Sequence, residues 1–314
     1  MTLTANTNPA RKMSGLTVLV ATLGLCLSSA TYSAAVVYSD SGATPADLSA
    51  AADALTIFRS DLGANNGAGP SLGGTTGRRE INWDAPALDA VADPNFMPAD
   101  QFNRAVAPFA RGAQFSTAGN GFFVSRRCEQ DGDAAGCGGS NILFGFGPGS
   151  GTNLSAFSAQ RIFSPVSSNV MDVTFAVPGS PGQVATTSAF GAIFTDVEVA
   201  DLTRMELFGL DDQSLGSFFV PTAVDGGLSF LGVRFDGGEL IARVRLTLGD
   251  MALTGHGAFA QVNSDFVALD DFIYAEPLRV VSEPGSVALV LVAAAALSSR
   301  RRKPQAAVSG RRVA

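Results

Sequence analysis

Residues 228–248 read LSFLGVRFDGGELIARVRLTL. Leu231, Val233 and Phe235 take alternate positions and run into Asp236-Gly237-Gly238. After that turn sequence, Ala242, Val244, Leu246 and Leu248 alternate with Arg243, Arg245 and Thr247. Successive side chains of a strand point to opposite faces, so this period of two marks strands with one buried and one wet face. Aspartate and glycine between two such runs supply the turn.

The same pattern extends in both directions. Met171, Val173, Phe175 and Val177 alternate with Asp172, Thr174 and Ala176, and Phe190, Ala192 and Phe194 alternate with Gly191 and Ile193. Glu80–Asp84 places Ile81 and Trp83 on one face. Phe115, Phe122–Val124 and Ile142–Phe146 mark further strands, and Phe266–Tyr274 closes the series. Met205–Gly209 and Leu215–Val220 flank Asp211-Asp212-Gln213-Ser214, a hairpin loop. Roughly ten such strands suit two sheets packed face to face. The expected fold is mainly β: one jelly-roll-like β-sandwich over residues 79–278.

Residues 36–78 lead into it with one helix and a loop. Thr44 can cap the helix, Pro45 suits its first turn and Asp47 its positive end. Leu48, Ala51, Ala52, Leu55, Phe58 and Leu62 recur at helical spacing, and Gly63 is a natural stop. Asn65–Gly77 is Gly-rich and polar and reads as a flexible loop.

Composition agrees. Among 314 residues, 46% are hydrophobic and 16% charged, enough for a sizeable core and against wholesale disorder. The 35 Gly and 22 Phe favour turns and strands over helix. Residues 36–275 hold 12 Arg, no Lys and 26 acids, a net charge of −14. Such a field repels phosphate backbones, which excludes nucleic acid as a partner, and it suits cations.

Both ends read as addresses. Arg11 and Lys12, the apolar run Leu16–Leu27 and the small residues Ser33, Ala34 and Ala35 have the order of a secretory signal over residues 1–35, to be removed by signal peptidase. At the other end Ser282-Glu283-Pro284-Gly285-Ser286 precedes the apolar run Val287–Leu297 and the basic cluster Arg300, Arg301, Arg302 and Lys303. The run is marginal beside the roughly 20 apolar residues of a permanent span, and the basic cluster would stay cytoplasmic.

This C-terminal order, over residues 279–303, resembles the PEP-CTERM sorting signal: a Pro-Glu-Pro triplet, an apolar stretch and an Arg-rich end. Glu283 and Pro284 match the second and third triplet positions, Ser282 stands where the first Pro is usual, and a polar tail, residues 304–314, follows. The resemblance implies that an exosortase cuts near Glu283-Pro284 and releases or relocates the body in the envelope. The segments Gly77–Asp84, Phe190–Glu198, Ser214–Pro221, Leu228–Leu246 and Asp265–Pro277 also look like a secreted β-sandwich body common among PEP-CTERM proteins. That likeness implies no settled ligand or reaction.

The chemistry-bearing residues are few. Cys128 and Cys137, in CEQDGDAAGC, would be the cysteines left after signal removal. In an exported chain the pair reads as a disulfide, worth about 2–3 kcal/mol for so short a loop. Asp131-Gly132-Asp133 lacks the further ligands of an EF-hand and reads as a solvated acidic turn. Asp270-Asp271 lies in the apolar stretch VALDDFIY, where alternation sends the two carboxylates to opposite faces. Asp196 is a second acid in an apolar strand. An inward carboxylate needs a partner or a cation, so Asp196, Asp270 and Asp271 are candidates for a structural calcium, with Arg or backbone donors as the alternative.

His256 is the single histidine, in a loop, and no GxSxG is present, so neither a Ser-His-Asp triad nor a His-rich zinc site can be built. Arg78-Arg79 beside Glu80 reads as a strand-edge ion pair. The expected function is that of a non-enzymatic protein of the cell envelope, surface or extracellular matrix, without a required cofactor. The alternative is a calcium-stabilised carbohydrate-binding module acting on exopolysaccharide. A glycoside hydrolase ranks last: Trp83 is the single Trp and tyrosines are scarce, whereas sugar clefts stack rings on such residues.

Overall fold

The structure is a computed structural model that describes residues 34–84, 95–125, 144, 153–158, 161–255, 258–259 and 265–280. The strands are β1 (Val36–Gly42), β2 (Arg78–Ile81), β3 (Asn95–Met97), β4 (Ala113–Thr117), β5 (Gly121–Val124), β6 (Phe163–Val166), β7 (Val170–Val177), β8 (Ser180–Thr186) and β9 (Ala189–Thr195). They continue with β10 (Arg204–Phe208), β11 (Ser214–Phe219), β12 (Leu228–Arg234), β13 (Arg243–Thr247), β14 (Leu253–Gly255), β15 (Ala258–Phe259), β16 (Ala268–Ala275) and β17 (Leu278–Arg279). One α-helix, α1 (Ala54–Leu62), follows a 3-10 turn at Pro45–Leu48.

The strands form two sheets. The first runs β1-β12-β9-β16-β6-β14-β15, with β2 beside the later half of β16 and β5 and β3 extending from β6. The second runs β11-β10-β13-β7-β8-β17, with β4 on β7. Among the described strands pairing is antiparallel except for a parallel bridge between Leu253 and Val166; an isolated parallel bridge also joins Asn65 to Arg78. The main core joins their facing sides: Phe190, Phe194, Phe163, Phe272 and Tyr274 from the first sheet meet Phe115, Val173, Phe175, Val244 and Leu246 from the second. Ring contacts cross between them, as Phe115 with Phe272 and Phe175 with Tyr274. The chain is thus mainly β and consistent with a β-sandwich.

The second sheet follows the expected alternation. Every second residue is buried in β7, β10 and the first part of β13. Arg245 lies opposite Asp172 and grips it with two hydrogen bonds of 2.8 and 2.9 Å, and Arg243 covers the ring of its opposite residue Phe208. The Asp211–Ser214 loop does close the β10–β11 hairpin.

The first sheet departs from the expectation of one wet face. β9 and β16 are buried throughout and β12 nearly so. Their outer side is covered by α1, whose Leu55, Phe58 and Leu62 pack with Tyr38, Ile193, Phe230 and Ile273. A second patch on that side joins Leu154 and Ala156 to Val166, Met251 and Ala268. Apolar residues at both parities are needed where both faces are covered.

Other expectations are corrected too. The single helix from Thr44 to Gly63 is two pieces: Asp47 accepts the Thr44 N–H at 2.9 Å to cap the 3-10 turn, and α1 starts afresh after Asp53. Gly63 does end it, at φ +86°. Seventeen strands are described instead of about ten, because pieces such as β6 (FSPV) and β8 (SPGQVAT) carry no apolar alternation. The Asp236–Gly238 turn carries the chain between sheets, and Phe266–Tyr274 supplies a central strand, β16, between β9 and β6. The Gly-rich loop is tied down: Arg79 donates to the Gly67 and Gly69 carbonyls, and Asn66 donates to Glu276 at 2.9 Å.

Candidate functional site

The register of the first sheet creates an acidic site at one end. Thr195, the last residue of β9, is paired on one side with Leu228, the first of β12, and on the other with Ala268, the first of β16. One step beyond this row the chain leaves all three neighbouring strands, and each exit carries acids: Asp196 and Glu198 after β9, Asp225 before β12, Asp265 before β16.

Carboxylate oxygens of Asp196, Glu198 and Asp225 lie within 4.8 Å of one another. Asp196 is 2% exposed, sits at φ +70° and accepts the Gly226 N–H at 2.8 Å. Burial, opposed by that N–H and reinforced by the charges of Glu198, Asp225 and Asp265, pushes its carboxyl up to about 7. Asp265 is also 2% exposed; its Oδ1 faces the Glu198 N–H at 3.5 Å and its buried Oδ2 has no hydrogen-bond partner. Burial, opposed by the Glu198 and Val199 N–H groups and reinforced by the charges of Glu198 and Asp250, pushes it up to about 6. Asp225 accepts an N–H from Asn153 at 2.7 Å. Among the described residues none of these four acids forms an ion pair with Arg.

Asp270 and Asp271 are elsewhere on β16 and are satisfied differently. The β9–β16 register shifts between Leu269 and Phe272, a bulge that sets both carboxylates on the outer face, correcting the expectation of opposite faces. Both accept from Ser158 Oγ, at 3.1 and 2.7 Å; Asp270 also accepts the Phe157 N–H at 2.6 Å, and Asp271 pairs with Arg59 at 3.2 Å. Burial and the neighbouring Asp271 push Asp270 well above the ordinary carboxylate range. Among the described residues Asp196 and the Asp270-Asp271 pair have different hydrogen-bond partners, so the three acids singled out in the sequence are two sites.

Arg78 does pair with Glu80, at 2.6 Å, but Arg79 turns inward and grips Glu276 with both side chains nearly fully buried. Trp83 is fully buried, stacked 4.0 Å from Phe163, with its indole N–H on the Asp270 carbonyl. Glu198 stands two positions from Asp196 in the chain, whereas only strand pairing brings Asp225 to the same end of the sheet, and Asp265 nearby. Their one local signal was position, each within a few residues of a strand end. Cys128, Cys137, Asp131, Asp133, His256, Glu283, Pro284, Arg300, Arg301, Arg302 and residues 1–33 of the signal segment lie outside the described residues, as does the expected strand Ile142–Phe146 apart from Phe144. No helix among the described residues is long and apolar enough to cross a membrane. Comparison with protein-family models and with curated proteins gives no match for this chain.

Proposed function

We propose that this chain is an exported, non-catalytic β-sandwich of the cell envelope or extracellular matrix, delivered by a signal peptide and sorted by an exosortase through its PEP-CTERM-like end. One observation carries this reading. The first strand starts at Val36, directly after the small residues expected at the signal cleavage point, and the last ends at Arg279, before Glu283-Pro284. Cutting at both points removes no described strand from either sheet. The jelly-roll-like description belongs to the same proposal: β12, β9 and β16 lie side by side although distant in sequence, as Greek-key connections produce.

The non-catalytic part rests on the sequence and on what the site contains. The lone histidine builds no Ser-His or Cys-His pair, and we read the carboxylate cluster as holding protons or cations. The burial of Trp83 and Tyr274 takes two rings away from any sugar platform.

Mass spectrometry of the protein recovered from fractionated native cells tests the proposal. The expected species begins near Val36, ends near Glu283 and is found in the envelope or medium. Recovery from cytosol with residues 1–35 and 285–314 attached overturns it.

A further inference from the structure

We propose that a cleft beside β2 binds one small organic carboxylate, held by the outward side of the Arg111 guanidinium. The cleft has a volume of about 260 Å³, and its walls include Asn65, Glu80, Asn82, Arg111 and Asp271. That is small for a ligand pocket and suits a compact molecule or a single unit of a polymer. Among the described residues no carboxylate forms an ion pair with Arg111. Its Nε donates to the Pro108 carbonyl at 3.2 Å and its Nη1 to the Glu80 carbonyl, whereas its Nη2 donates to no described residue. The first two bonds account for the side chain lying along the edge of β2. They leave both Nη2 hydrogens for a ligand. The Phe102 ring, 5.5 Å from the guanidinium, helps to hold its plane. Burial, reinforced by Arg79 and opposed by Tyr274, Asp271 and Glu80, lowers Arg111 from its ordinary range, as expected of a cation with too little counter-charge.

The two carboxylates of the cleft are taken by other arginines. Glu80 is held by Arg59 at 2.8 Å and by Arg78 at 2.6 Å, and Asp271 by Arg59 at 3.2 Å. Arg79 is matched by Glu276. Three guanidinium groups therefore meet two carboxylates, which leaves one positive charge in excess on a body that is strongly negative. A carboxylate supplies that single charge and matches the planar guanidinium. A phosphate dianion would bring one charge too many beside Glu80 and Asp271. The amides of Asn65 and Asn82 can bond hydroxyls next to the carboxylate, so a sugar acid fits better than an apolar acid. The same group is offered by a free sugar acid and by a uronic acid unit of a polysaccharide. This site does not depend on the delivery proposed above, and its test is made in vitro.

Isothermal titration of the purified full chain, at neutral pH and constant chloride, uses sodium galacturonate, galactose, inorganic phosphate and tetragalacturonate. Galacturonate is expected to bind with a Kd on the order of 1 mM, and galactose and phosphate at least about tenfold more weakly. Arg111→Gln is expected to weaken galacturonate at least about tenfold. Asn82→Asp alters an exposed residue, keeps the fold and places a like charge in the cleft, which should weaken binding about fivefold. The Tm of each variant reports whether it folds. Tighter binding of the tetramer than of the monomer assigns the site to a polysaccharide, and equal or weaker binding assigns it to the free acid. Absence of binding by galacturonate, equal binding of galactose or phosphate, or unchanged affinity in a folded variant of either kind overturns the proposal.

Discussion

Arg79 and Glu276 stand 197 positions apart in the chain and meet inside the protein through hydrogen bonds of 2.7 and 2.9 Å. Removing one partner strands the other as a buried charge, so Glu276→Gln or Arg79→Met is expected to cost about 3–5 kcal/mol in urea unfolding. The Arg79→Met/Glu276→Leu double variant should lose less than either single one, which a double-mutant cycle measures. The Asp270-Asp271 bulge gives a pH dependence. Burial raises Asp270 above its ordinary 3.8 in the folded chain. The folded state therefore holds a proton that the unfolded state releases, and stability falls as pH rises above about 4 toward the folded pKa. Asp270→Asn should flatten this fall in denaturation curves taken from pH 4 to 8, with Asp271, Asp196 and Asp265, also raised by burial, keeping the remainder. A variant with the wild-type slope would show that Asp270 does not hold that proton.

At the scale of elements, helix α1 is placed by a dent in the sheet. Tyr38, Gly232, Gly191 and Ile273 form one row across β1, β12, β9 and β16, all on the outer face. The two central glycines leave room for the Phe58 ring, flanked by Tyr38 at 5.1 Å and Phe230 at 5.5 Å between ring centroids. A Cβ on Gly232 would lie 2.8 Å from Phe230 and 3.0 Å from Phe58, and one on Gly191 would lie 2.9 Å from Phe58. Gly232→Ala is thus expected to destabilise by about 1–3 kcal/mol through overpacking. Phe58→Ala should cost about 3–5 kcal/mol through the cavity it leaves. Chemical denaturation distinguishes these from the near-neutral outcome expected had α1 been loosely attached. The helical spacing of Leu55, Phe58 and Leu62 was legible in the sequence. The socket was not, because Gly191 and Gly232 become neighbours only through strand pairing.

Across the whole molecule, the first sheet draws on strands from β1 to β16 and the second on strands from β4 to β17, and residues 36–280 contain every described strand. A recombinant fragment of residues 36–280 is expected to fold cooperatively and to melt within about 2 °C of the full chain, a smaller difference than 1 kcal/mol would cause. Calorimetry on both proteins checks this, and a fragment that fails to fold would show that the end segments stabilise the body. The β class, the second sheet's buried and wet faces and the β10–β11 hairpin could be read from the sequence, because alternation and turn chemistry are local properties of neighbouring residues. So could the acidity of Asp196 and of Asp270-Asp271 in apolar surroundings. Only the tertiary structure set which strands share a sheet, why β9 and β16 are buried on both faces, and which acids stand together. Asp196 and Asp225 meet, with Asp265 at the same end of the sheet, because Thr195 is paired with both Leu228 and Ala268. No pattern confined to adjacent residues encodes a pairing between segments so far apart along the chain.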